Sequence, residues 1–188
     1  LPIQSGSNRI LKLMKRFYTR EHYLDIVRKL KETCPKIAIS TDFIVGFPGE
    51  TEDEFQETLS LIREVRFSQS YSFVYSDRPG TKATLMENKV SEEVARFRLS
   101  QLIDLQDEIM ASSYQTYLGK TVEVLIESQS KKNASVLSGR TRSNKIVNLT
   151  EDRRCMGKIK NVYIVETRLT SMVGKLKECG ERTQELQH

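Results

Sequence analysis

The chain has 188 residues, of which 38% are apolar and 29% charged, a composition that excludes a disordered or fibrous protein. No apolar run approaches the roughly 20 residues needed to span a membrane, and the opening LPIQSGS shows no signal-peptide pattern. The formal charge of +5 is uneven, because residues 1–115 carry 16 Lys/Arg and 17 Asp/Glu whereas residues 116–178 carry 13 and 6. We therefore expect two domains, the second of them suited to phosphate-bearing partners or simply covered by a solvated basic surface.

The first part of the chain alternates between extended segments and helices. Thr19 is a good cap for a helix that Pro35 ends, and Thr51 begins another whose first turn is acidic. The pattern predicts strands at 1–4, 37–47 and 70–76, and helices at 8–15, 20–33, from 52 onward and at 91–117. This is a run of βα units on a parallel sheet, in which ligands bind beyond the carboxyl ends of the strands.

After Gly119 the sequence pattern changes to short β-rich segments separated by polar turns. Five such segments in about 60 residues predict a small antiparallel barrel. Glycines within it mark bends or close backbone approaches. The predicted strands are 121–128, 134–141, 145–149, 158–167 and 172–178, the glycines are Gly139, Gly157 and Gly174, and residues 179–188 form a polar, frayed tail.

The turn 46-GFPGE-50 follows the predicted strand 37–47. It is not a phosphate-binding loop, because it lacks the lysine of such loops and is followed by acids that would repel a phosphate. Its glycines let the backbone pass close to a flat ligand, or they form a plain tight turn. Asp42 lies within the apolar run, where a carboxylate needs partners. Ribose hydroxyls are one possibility, and a structural cap or ion pair is the other.

Other polar candidates are few. Gln4 ends the first predicted strand and could bind the same ligand, although Ser5–Ser7 could simply cap a helix. Arg16 and Arg78 could bind carboxylates or be solvated. The sequence shows no nucleophile set and no metal constellation, since the two histidines are poorly placed. The cysteines Cys34, Cys155 and Cys179 are too far apart for a zinc motif or a disulfide framework, so a reducing compartment is expected.

Three stretches carry a family resemblance: LPIQSGSNRILKLMKR, STDFIVGFPGETEDEF and YSFVYSDRPGT. They resemble the radical S-adenosylmethionine (SAM) methylthiotransferases, and the basic β-rich part resembles the TRAM domain that closes these enzymes. The stretch 138-SGRTRSNKIVNL-149 is most similar to the MiaB type, which adds a methylthio group to C2 of N6-isopentenyladenosine at position 37, next to the tRNA anticodon. The resemblance covers about residues 1–178.

The resemblance implies an α/β fold in two parts. Residues 1–117 would be the C-terminal half of a partial (βα)6 TIM-like radical SAM barrel, and residues 118–178 a small all-β, OB-like TRAM barrel. We therefore expect several βα units before Leu1. In this family the cysteines of two [4Fe–4S] clusters lie in that upstream part, so the resemblance implies no catalytic or metal-binding residue here. The fragment alone is then expected to be inactive without its missing N-terminal part.

The resemblance also implies site residues. Gln4 and Asp42 would face the ribose of SAM, Arg16 its carboxylate, and the segment from Val45 through Gly46 to Phe47 its adenine. Arg78 would lie near the substrate. In the TRAM part, five cations would meet the backbone of the tRNA anticodon stem-loop, giving affinity rather than sequence choice. These cations are Lys131, Lys132, Arg140, Arg142 and Lys145.

The implied whole enzyme is a cytoplasmic transferase that acts on tRNA by radical SAM chemistry. The clusters and SAM perform the difficult chemical steps, while the protein binds and orients the reactants. Two other interpretations stay open from the sequence. One is the sister enzyme that methylthiolates an aspartate of a ribosomal protein, and the other is a non-catalytic RNA-binding remnant.

Overall fold

The computed structural model describes residues 1–130, 135–150 and 153–177. The chain divides into two compact units between Met110 and Ala111, inside a long helix and ahead of the expected domain boundary at residue 117. In the described part of the chain, no helix is both long enough and apolar enough to cross a membrane.

The helices of the first unit follow the predicted caps closely. They are α1 (Asn8–Leu13), α2 (Arg20–Thr33), α3 (Glu52–Val65) and α4 (Glu92–Gln115), with a short 3-10 helix at Lys82–Leu85. Thr19 caps α2 by accepting a hydrogen bond from the backbone N–H of His22. Thr51 and Glu54 form a reciprocal capping box at α3. Ser7 precedes α1 but gives it no side-chain cap, because its hydroxyl donates to Glu54 instead.

The sheet of the first unit has two parallel strands, β1 (Ser40–Val45) and β2 (Gln69–Val74). The strand predicted at residues 1–4 is reduced to a single parallel bridge between Gln4 and Phe43. In that bridge the Gln4 N–H donates to the carbonyl oxygen of Asp42 at 2.9 Å, and Gln4 accepts from the N–H of Ile44 at 2.9 Å. The predicted βα order is therefore confirmed, with a shorter first strand.

The two faces of this sheet differ in burial. Because strand residues alternate between faces, Phe43 and Val45 are fully buried among the helices. On the other face Asp42 and Ile44 are half-buried, and their partners on β2 are mostly open. Tyr71 and Phe73 are 51% and 57% exposed. This open face extends to the carboxyl ends of β1 and β2.

The second unit contains a closed five-stranded barrel in the order β3-β4-β5-β7-β6. Its strands are β3 (Thr121–Gln129), β4 (Leu137–Thr141), β5 (Ile146–Leu149), β6 (Ile159–Thr167) and β7 (Met172–Leu176). The predicted five strands are confirmed, but the expectation of an antiparallel barrel is wrong at one place. There β5 and β7 pair in parallel.

Two predicted glycines have a packing reason. A Cβ on Gly139 would lie 2.4 Å from the carbonyl oxygen of Leu125, and one on Gly174 would lie 2.2 Å from a methyl group of Val162. Only glycine permits such a close approach between neighbouring strands and the barrel core. The barrel is therefore closed tightly around its own core, which includes Val124, Ile126, Val162 and Ile164.

Candidate functional site

A cavity of about 760 Å³ opens at the carboxyl ends of β1 and β2. This is the edge of a parallel sheet at which α/β proteins bind their ligands. The wall comes from four places: the bridge residue, the segment that ends α1, the ends of the two strands, and the loop after β2. The lining residues are Gln4, Leu13, Met14, Lys15, Arg16, Ile44, Phe47, Phe73, Val74, Tyr75, Ser76, Arg78, Thr81, Lys82 and Ala83.

The cavity brings together four of the residues predicted from the sequence. Gln4, Arg16, Phe47 and Arg78 all line it, although they are up to 74 positions apart in the chain. The other three predicted SAM contacts, Asp42, Val45 and Gly46, are absent from the lining.

Alternation along β1 explains the absence of Val45, and position along the strand explains that of Asp42. Val45 is 0% exposed and belongs to the hydrophobic core, so its side chain cannot border a ligand as expected. Asp42 lies mid-strand rather than at the rim, half-buried on the same face as Ile44, which does line the cavity. Its placement in the sheet is opposite Tyr71.

Gly46 turns the chain at the end of β1 with φ of +72°. A Cβ there would lie 2.6 Å from the Cβ of Ala95 on α4, so the close approach is to a helix and not to the cavity. The reversal directs Phe47 back into the cavity wall, where its ring meets Tyr75 edge-on at 5.1 Å between centroids. The motif thus places an aromatic side chain at the site.

A buried carboxylate holds this turn. One oxygen of Glu50 accepts from the backbone N–H of Gly46 at 2.7 Å and pairs with Arg98 at 3.0 Å. Both side chains are almost completely buried, and the other oxygen, Oε1, has no hydrogen-bond partner among the residues that the structure describes. Burial raises the pKa of Glu50, against the lowering effect of the Gly46 N–H and Arg98. The sequence did not indicate this pair, which is formed by a residue 48 positions away.

A second carboxylate connects the helices behind the cavity. Arg9 binds both oxygens of Glu54 at 2.6 Å and also donates to the carbonyl oxygen of Gly49. The Arg9 hydrogen bonds lower the pKa of Glu54 to about 2, and hydrogen bonds from Thr51 act in the same direction. Glu54 therefore stays ionised and joins α1, the turn and α3.

Among the described residues, the cavity lining contains four cationic side chains and no acidic one: Lys15, Arg16, Arg78 and Lys82. Sequence reasoning singled out the two arginines and missed the two lysines. A signal was available, because each lysine lies within four residues of one of the arginines and no acid separates them. The apolar part of the wall includes Phe47, Phe73 and Tyr75.

The two predicted RNA-binding arginines of the barrel, unlike the cations of the cavity, are paired with carboxylates. Arg140 pairs with Glu127 at 3.2 Å and Arg142 with Glu123 at 2.9 Å, both across to β3. These residues line a shallow cavity of about 340 Å³. Leu125 and Ile159, which are paired between β3 and β6, also line this cavity and are 41% and 65% exposed. The predicted pair Arg140 and Arg142 is thus on one surface.

Lys145 is not on that surface. It is 5% exposed, and its ammonium lies 4.2 Å from the ring centroid of Tyr114 and 5.8 Å from that of Tyr117. Its Nζ has no hydrogen-bond partner in the described part of the chain, and burial lowers the pKa of Lys145. A phosphate contact by Lys145 is therefore at odds with the structure. Lys131 and Lys132 lie outside the described residues.

The part of the chain that the structure describes holds no group of three or more His, Cys, Asp or Glu that could bind a metal ion. Cys34 is exposed and Cys155 half-buried, and neither forms a disulfide with another described residue, whereas Cys179 lies outside the described residues. Thiolates hold iron–sulfur clusters, so these residues do not fit such a group.

Comparison with known proteins assigns both parts of the chain. Residues 1–62 match the family model described as the Radical SAM superfamily, and residues 115–177 match the TRAM domain. Three similar curated proteins are each called tRNA-2-methylthio-N(6)-dimethylallyladenosine synthase. They come from Alkaliphilus oremlandii (52% identity over 176 residues), Acetivibrio thermocellus (49% over 176) and Thermoanaerobacter sp. strain X514 (50% over 178).

The aligned regions are 94–95% of this chain but only 37–38% of each relative. The chain therefore spans a little over a third of the length of the curated relatives that it matches. The two family matches lie on either side of the loop that carries Arg78 and Lys82. Together they show that this chain joins a segment of the radical SAM superfamily to a TRAM domain.

Proposed function

We propose that the chain is the SAM- and RNA-binding portion of a tRNA methylthiotransferase that forms 2-methylthio-N6-dimethylallyladenosine. One observation carries the proposal: about 50% identity to synthases of that name extends over 94% of the chain, through the cavity and the barrel alike. The activity belongs to a longer enzyme, of which residues 1–117 would form part of a TIM-like barrel and residues 118–178 the TRAM domain. Its expected location is the cytoplasm.

The chemistry of the cavity wall fits SAM. Arg16 supplies a guanidinium for the carboxylate, Gln4 an amide for the ribose, and Phe47 an aromatic surface for the adenine. Asp42 lies mid-strand on the open face of the sheet and would reach the ribose only from there. In this proposal it is therefore a secondary contact. When bound, SAM supplies the radical and the methyl group, and these residues bind and orient it.

The target nucleoside would enter the same cavity from the side of Arg78. The TRAM barrel would hold the anticodon stem-loop through Arg140 and Arg142 on its outer surface. Lys145 is buried and contributes no phosphate contact to this proposal. Because the described residues do not fit an iron–sulfur cluster, no step of the reaction is assigned to them, and the chain alone is expected to be inactive.

A chimera tests this function. In it, the 176 aligned residues of the Alkaliphilus oremlandii synthase are replaced by those of this chain. We expect 2-methylthio-N6-dimethylallyladenosine in the tRNA of cells whose own enzyme is deleted, measured by mass spectrometry of nucleosides. The unaltered synthase is the positive control, and a chimera with Arg16→Ala is the negative one.

Two results would contradict the proposal. In the first, a folded chimera with bound cluster leaves tRNA unmodified. In the second, it places a methylthio group on an aspartate of a ribosomal protein instead, which mass spectrometry of ribosomal proteins would detect.

A further inference from the structure

We propose that Lys15 and Lys82 form a phosphate clamp that holds the RNA strand across the mouth of the cavity. The inference rests on the proposed function and adds two RNA-positioning residues to it. The two lysines line the same cavity from different elements, one following the end of α1 and the other in the 3-10 helix after β2. Neither has been assigned a role by the family resemblance.

The charges of the described residues that line the cavity are unbalanced. The carboxylate of SAM needs one guanidinium, and Arg16 supplies it. Lys15, Arg78 and Lys82 then remain in a cavity that is lined by no acidic residue in the described part of the chain. No hydrogen bond or ion pair to another described residue involves the side-chain nitrogens of these three. Three uncompensated cations at one opening suit a ligand with one negative charge per nucleotide better than a single small anion.

The backbone of Lys15 adopts a left-handed conformation. α1 ends here in a left-handed turn, with the N–H of Lys15 donating to Lys12 and that of Arg16 donating to Leu11. Lys15 has φ of +59°, at the position that ends helices in the left-handed region, where glycine is strongly preferred. A lysine is strained there, and strain of this kind clusters at binding sites. Gln4, with φ of +76°, is a second strained residue in the same wall.

The loop that carries Lys82 is held in place by its own hydroxyls. Thr81 and Thr84 each donate to the carbonyl oxygen of Arg78 at 2.9 Å. The bonds fix the backbone between Arg78 and Lys82 while both cationic side chains stay exposed. The cavity lining therefore presents cations from two elements whose backbone is held by hydrogen bonds. The same lining includes Phe73 and Tyr75, aromatic surfaces on which a base can stack.

Binding of a fluorescein-labelled RNA hairpin with an anticodon stem-loop sequence to the full 188-residue chain tests the clamp by fluorescence anisotropy. We expect Lys15→Gly and Lys82→Gln each to weaken binding by about 3- to 10-fold and to lower the slope of log affinity against log salt by roughly 0.7 to 0.9. Lys12→Gln and Lys36→Gln, exposed lysines outside the cavity, should leave both unchanged.

Lys15→Gly also separates binding from folding. Because glycine relieves the left-handed strain, the midpoint of urea unfolding should stay the same or rise while RNA affinity falls. Arg142→Ala on the barrel serves as a reference for RNA contact elsewhere in the chain.

The outcomes of these measurements distinguish a failure of the clamp from a failure of the proposed function. If the hairpin binds and Arg142→Ala weakens it, but neither lysine variant does, the clamp is wrong and the proposed function stands. If the lysine variants weaken binding of a polyglutamate peptide but not of the hairpin, the cavity serves an acidic protein and the clamp is also overturned. If no version of the chain binds the hairpin, both proposals lose their support.

Discussion

The two units of this protein use positive charge in opposite ways. In the first unit, whose sequence is nearly neutral, four cations line one cavity without an acid among them. In the second, which carries the excess of positive charge, Arg140 and Arg142 are each paired with a glutamate and Lys145 is buried over tyrosine rings. Net charge therefore indicates which part of a chain attracts an anion, but pairing decides where an anion binds.

The buried charges differ in the same way. The first unit buries Glu50 and Arg98 as a pair that holds the turn beside the cavity. The barrel buries Lys145 against aromatic neighbours, with no hydrogen-bond partner for its ammonium among the described residues. The pair of Glu50 and Arg98 positions the turn beside a site, whereas Lys145 only packs against its neighbours in the barrel. We therefore expect substitutions of these buried charges to differ in their effects.

The largest expected effect comes from breaking the buried pair. Arg98→Ala leaves Glu50 as an uncompensated buried charge and should lower the free energy of unfolding by about 3–5 kcal/mol. Arg96→Ala, two positions away in an exposed pair with Glu92, should cost no more than about 0.5 kcal/mol. Urea unfolding of the full chain measures both. Equal effects of the two substitutions would show that the pair does not hold the first unit together.

Glu54→Gln should cost about 2 kcal/mol at neutral pH, because it removes a charged partner from Arg9 and from the capping box. The folded pKa of about 2 is depressed from the usual 4.5, so this contribution is fully present above pH 4.5 and is lost as the pH falls toward 2. The stability gap between wild type and variant should close over that range in denaturant titrations. Glu57→Gln, exposed on the same helix, should show no such gap.

Lys145→Met tests whether the buried barrel lysine has any role beyond packing. Loss of the cation–π contact and relief of an unsatisfied ammonium oppose each other, so stability should stay within about 1 kcal/mol of wild type. RNA affinity, measured by anisotropy, should not change. A loss as large as that of Arg142→Ala would restore Lys145 as an RNA contact.

The smallest expected effect sharpens the comparison most directly. The double substitution Glu123→Gln with Glu127→Gln releases Arg142 and Arg140 from their partners. Exposed ion pairs of this kind contribute about 0.2–1 kcal/mol, so RNA affinity should rise by about 2- to 5-fold. A fall in affinity would mean that the glutamates orient the guanidinium groups for the RNA, and that the barrel arginines work as paired units.

Much of the fold could be predicted from local pattern. The caps Thr19 and Thr51 and the apolar run of β1 placed their elements correctly, because capping and burial periodicity are properties of neighbouring residues. The parallel pairing of β5 with β7 was missed, because it depends on how a barrel closes. The pair of Glu50 with Arg98 was missed for a similar reason: no local signal connects residues 48 positions apart.

The sequence by itself determined the βα order, the five barrel strands and the membership of both segments in their families. It also placed Gln4, Arg16, Phe47 and Arg78 in one site. Only the tertiary structure decided that Val45 faces the core and Lys145 is buried, and that Lys15 and Lys82 face one opening without acids. The reason is physical: propensity and motif act along the chain, whereas burial and charge pairing depend on which distant segments meet.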